Sequence, residues 1–137
     1  MPPLVAAFLA RALPKADWTH EAHLTVGLWH VREFGYDEAL TRMRAGIRAY
    51  NEAVGTANTA TGGYHETLTR FWLRVLAAQI REAGPETPFA VVLSRILGSS
   101  WADRSLALRY YHHETLFSPL ARAEWVEPDQ QPFDFHL

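Results

Sequence analysis

"HEAHLTVGLWHVREFGYDEALTRMRAGIRAYNEAVG", residues 20–55, decides the fold. Apolar positions recur at three- and four-residue steps on both sides of a single glycine. Before it, Leu24, Gly27, Val31 and Phe34 share one stripe; after it, Leu40, Met43, Ile47, Tyr50 and Val54 share another. Two helices are expected here. The first is capped by Asp17 or Thr19 and stops at Gly35; the second is capped by Asp37 and stops at Gly55. Upstream, Pro2 and Pro3 open the helical stretch "LVAAFLARAL", which Pro14 closes. Downstream, "GTANTATGG" at 55–63 has no apolar anchor and reads as a loop. Another helix is expected over about 64–83, ending at Gly84-Pro85, with shorter helical pieces near 88–97 and 102–111. The tail "VEPDQQPFDFHL" at 126–137 reads as irregular. No alternating run supports a sheet. The fold expected is all-α: one domain over residues 1–137, a helical bundle of about five to six helices with an irregular C-terminal tail.

Composition bounds the function. The chain has 137 residues, 48% apolar and 20% charged, with a net charge of −2, which suits one globular domain with a single core. Its charges are interspersed, so no basic patch points to nucleic acid and no polybasic run to a lipid surface. The apolar runs are too short to span a bilayer, and the N-terminus lacks the charged start and cleavage site of a secretory signal. A cytoplasmic protein is expected. With no cysteine, thiolate catalysis, disulfides and cysteine-based zinc sites are excluded.

The histidines carry the chemical interest. At ~100° per residue, His20, His23 and His30 fall within an arc of about 80° on the core side of their helix. Gly27 sits on that stripe at a cost of roughly 1 kcal/mol in helix propensity, so a close approach to the backbone is expected there. On the later helix, His65 aligns with Thr69, Trp72, Leu73, Leu76 and Ile80. Glu66 lies at the border of that stripe, and Arg70, Arg74 and Arg81 take the solvent side. Buried imidazoles and carboxylates need partners, and a shared metal ion or a full hydrogen-bond network supplies them. His20 and His23, three apart, can reach one ion. With His65 and Glu66 they offer three nitrogens and one oxygen, a set suited to a divalent zinc, iron, nickel or manganese ion.

Each of these residues also has a plain structural reading. His30, two turns further on, reads as a core histidine. Glu66 suits a helix N-terminus as any carboxylate does, and Thr69 can bond its own backbone. The second "HETL", at 113–116, is a coincidence of four letters. His112 and His113 point to different faces of a helix and read mainly as surface residues.

"WTHEAHL" at 18–24, "NTATGGYHETLT" at 58–69 and "WVEPD" at 125–129 together resemble a family of small bacterial proteins. That family shares a [W/F]-[S/T]-H-x-x-H-L motif, an N-T-x-T-x-G-Y-H-E-T-[IL]-T motif and a late aromatic-V-x-P-D. It is an uncharacterised family, so the resemblance implies no reaction. It singles out His20, His23, His65, Glu66 and Thr69, which match its motifs. Asp129 matches the late one, where it would orient an imidazole or serve as a turn residue. The pair His112-His113 departs from the family pattern.

Three classes of function follow. In the first, an enzyme, the bundle holds one ion through His20, His23 and His65, with Glu66 as fourth ligand or general base, for hydrolysis or group transfer on a small molecule. In the second, a binding module, the same groups read a small ligand in a pocket lined by Trp29, Trp72 and Tyr64, without metal. In the third, an interaction subunit, the histidines form a structural network and the aromatic tail docks on a partner. A homodimer is compatible with all three. The metal-binding class is the one expected.

Overall fold

In a computed structural model that describes residues 1–135, the chain is all-helical, with no strand among the described residues. Helix α1 spans Pro3–Leu9, and a 3-10 turn, Lys15–Asp17, leads to α2, His20–Ala53. Helix α3 spans Glu66–Ala83 and α4 Phe89–Leu97. Two 3-10 turns, Ser100–Ala102 and Leu106–Arg109, precede the short helices α5, His113–Leu116, and α6, Pro119–Ala123. No described helix is long and apolar enough to cross a membrane.

The glycine in the deciding stretch acts as expected, with one difference. Gly35 has φ 77° and ψ 169°, a conformation that only glycine adopts without strain, so α2 bends there. The two expected helices are therefore arms of one bent element, with no loop between them. Thr19 is the N-cap, its hydroxyl accepting the backbone N–H of Ala22 at 3.2 Å.

Helix α3 lies against both arms of α2 and forms the central pair; α1 packs on α2, and α4 touches both. Gly27 marks the crossing. A Cβ there would stand 2.9 Å from Cδ1 of Leu76 and 3.4 Å from Cδ2 of Leu73, so α3 makes the close approach that the glycine implied. The main core gathers Phe8, Leu24, Leu28, Tyr50, Leu73, Leu76 and Ile96. Trp18 joins α1 to α2, with its ring 4.7 Å from Phe8 and 5.3 Å from Tyr50.

A second core lies on the far side of α3. Phe71, Val75, Leu106, Tyr110, Tyr111 and Leu116 form it, covered by Phe133 and Phe135 of the tail. The tail is irregular but is built into the molecule. Trp125 lies 5.1 Å from the guanidinium of Arg70 and 4.5 Å from that of Arg74. Those two arginines are thus half-buried under the tail, which the helical period of α3 alone did not show. The expected helix near 102–111 is likewise replaced by the 3-10 turns.

Candidate functional site

The loop before α3 is held chiefly by Asn58, with Arg122 as a second anchor. The Oδ1 of Asn58 accepts from Nδ2 of Asn51 and from the backbone N–H of Tyr64, both at 3.0 Å, and its Nδ2 donates to the carbonyl of Arg48 at 3.2 Å. Gly63, at φ 79°, turns the chain where any side chain would strike the carbonyl of Ala57. Arg122 of α6 donates to the Gly63 carbonyl at 2.8 Å.

This turn delivers His65 to the N-cap of α3, one position before the first helical residue. Its Nδ1 accepts the backbone N–H of Leu68 at 3.1 Å, and its Nε2–H donates to the carbonyl of Leu116 at 2.7 Å. Both nitrogens are used, which fixes the neutral Nε2–H tautomer. Burial holds its pKa below the ordinary histidine value.

Glu66 turns away from the histidines. Its carboxylate takes Nε and Nη2 of Arg44 at 2.9 and 2.7 Å, and the Tyr64 hydroxyl at 2.7 Å. Burial opposes its charge, but these donors prevail and its pKa is lowered. The rest of the long motif is similarly employed. Thr67 donates to the carbonyl of Glu124 and accepts the N–H of Val126; Thr69 donates to the carbonyl of His65.

His20 and His23 differ from His65. His23 donates through Nδ1–H to the carbonyl of Thr19 at 2.7 Å, and its ring stacks 3.7 Å from that of Trp18. His20 donates through Nε2–H to the carbonyl of Ala102 at 2.9 Å. Each keeps its second ring nitrogen free of any hydrogen bond among the described residues. His23 is exposed, but it lines a concavity that packs protein around much of its ring. That desolvation, opposed by the Thr19 bond, pushes its pKa down to about 4. The pKa of His20 is lowered for the same reason.

The concavity is a cavity of about 820 Å³, within the range of small-molecule pockets. The first arm of α2 contributes His20, His23, Leu24 and Gly27; the second contributes Met43, Ile47 and Asn51. Helix α3 adds Leu68, Thr69, Trp72, Leu73 and Leu76 beside His65 at its cap. Segment 104–117 closes the far wall with Arg104, Leu108, Leu116 and Phe117. Thr56 and Gly63, from the loop before His65, border it.

The structure thus brings His20, His23 and His65 to one cavity but does not bring them together with Glu66 as a ligand set. Among the described residues, no group of three or more His, Asp or Glu side chains is placed to hold a metal ion. The reasons are local: His65 spends both nitrogens on the fold, and Glu66 is held by Arg44. Tyr64 and Trp72 line the cavity, whereas Trp29 packs on His30 and Phe34 instead. His30 is a core residue that donates to the carbonyl of Val26. His112 and His113 are exposed and do not line the cavity. Asp129 accepts the backbone N–H of His112 at 2.9 Å and the hydroxyl of Thr115 at 2.5 Å, clipping the tail to α5. The tail docks on its own chain.

No family model, curated protein or solved structure matches this chain. The functional reading rests on the cavity.

Two residues there escaped the sequence reading. Lys15 lines the cavity from a 3-10 turn and Arg104 from the link between two others, where a helix was expected. Arg44 carried a usable signal. It stands beside Leu40, Met43 and Ile47 on one face, and a cation on an apolar stripe calls for a buried carboxylate.

Proposed function

We propose that this protein binds a small molecule in the cavity between α2, α3 and segment 104–117. The observation that carries the reading is the cavity itself. Its walls are mostly apolar, and the few polar groups include two imidazoles, each with one uncommitted nitrogen. Pockets of this size and make-up bind ligands through buried apolar area and take orientation from a few polar contacts. His20 and His23 would orient the ligand; neutral near pH 7, each is able to accept a hydrogen bond.

The test uses the neutral fluorophore N-phenyl-1-naphthylamine. One molecule per chain is expected to bind with enhanced emission, and Leu108→Trp, which fills the cavity, is expected to abolish binding while leaving the far-UV circular dichroism unchanged. Equal binding by the filled variant would overturn the proposal.

A second reading has one observation in its favour. The uncommitted nitrogens of His20 and His23 belong to residues three apart on a helix, and such a pair can share a divalent ion whose other ligands are water or the bound molecule. Elemental analysis of the wild type beside a His20→Ala, His23→Ala double variant tests it. Stoichiometric metal lost in the variant supports this reading, and none in either refutes it.

A further inference from the structure

The charges around the cavity are one-sided. Lys15 and Arg104 line it, His20, His23 and His65 stand beside them, and no aspartate or glutamate lines it. Both cations are exposed, and neither forms an ion pair with any described residue. The other arginines near this site are committed: Arg44 to Glu66 and Arg122 to the carbonyl of Gly63. Arg104 is also close enough to lower the pKa of both His20 and His23. The acids that act on His20, Asp103 and Glu21, and Asp17 in the turn with Lys15 lie outside the cavity lining. Asp103 accepts the backbone N–H and the hydroxyl of Ser105, and Glu21 is exposed; neither lines the wall.

From this we infer that the ligand of the cavity is a small organic anion with an apolar body, a carboxylate on an alkyl or aryl chain. The inference rests on the cavity being a binding site. The anionic group lies at the rim against Lys15 and Arg104, and the apolar body enters between Leu24, Leu68, Trp72 and Leu76. A guanidinium suits such a group because it offers paired donors to a planar carboxylate. With walls of low polarity behind it, the pair is less screened than on an open surface.

The experiment measures displacement of N-phenyl-1-naphthylamine by decanoate, 1-decanol and decylammonium, which share a chain and differ in charge. In wild type, decanoate is expected to bind at least about tenfold more tightly than decanol, and decylammonium most weakly. A Lys15→Gln, Arg104→Gln double variant, altered only at exposed positions, is expected to lose that preference, with decanoate falling to the level of decanol. Added salt weakens decanoate alone. Equal displacement by decanoate and decanol in wild type overturns this inference and leaves the cavity reading standing, as does a preference that survives the double variant. If the fluorophore itself does not bind, both readings fall together.

Discussion

At the scale of single residues, the long motif "NTATGGYHETLT" becomes a folding device. Glu66 is the clearest case. Its carboxylate is buried, whereas Arg44 keeps 38% of its side chain exposed. The two ends of the pair therefore differ in what their removal costs. Arg44→Met strands a buried carboxylate with only Tyr64 and a distant Arg70, at 3.9 Å, to stabilise it. Urea denaturation is expected to show a loss of about 3 kcal/mol. Glu66→Gln leaves an arginine that can turn to water and an amide that Tyr64 can still reach, so about 1 kcal/mol is expected. Equal losses would mean that the pair is not buried as described. The sequence showed that Glu66 sat at the margin of an apolar face. It did not show the partner, because Arg44 lies 22 residues away on a different helix.

At the scale of elements, the segments from α1 to α4 were legible and the shorter pieces after α4 were not. Thr19 as a cap, the break at Gly35, the loop after Gly55 and the end of α3 at Gly84 all follow from local chemistry and are found. The 3-10 turns and the helices α5 and α6 do not, because tertiary contacts hold them. Asp129 clips α5, and Arg122 ties α6 to the carbonyl of Gly63 at 2.8 Å. The start of α3 shows the same limit. The chain pattern put His65 in the first turn; the helix begins about two residues later, at Glu66, so His65 becomes the cap. His65→Ala removes that cap, worth about 1 kcal/mol, and leaves the Leu116 carbonyl without its donor, worth about another 1 kcal/mol. His65→Asn restores the cap alone and is expected to recover roughly half of the loss. Thermal unfolding of the two variants checks this, and a stable alanine variant would contradict the assignment.

For the whole molecule, the histidines act together through protons. His20, His23, His30 and His65 all have lowered pKa values, chiefly from desolvation, and His23 falls from the ordinary 6.5 to about 4. In the unfolded chain these groups take up protons as the pH drops through 6.5, while the folded molecule resists doing so. Between those two values the unfolded state binds more protons, so stability must fall as pH falls. The stabilising contribution is whole above 6.5 and is lost progressively toward about 4. Glu66, with a lowered pKa of its own, extends the loss to still lower pH. Urea midpoints across this range are expected to decline with acid, and His23→Gln is expected to flatten the slope. A midpoint that stayed level or rose on acidification would mean that the imidazoles are solvated in the fold, and that the cavity wall around His23 is open to bulk water.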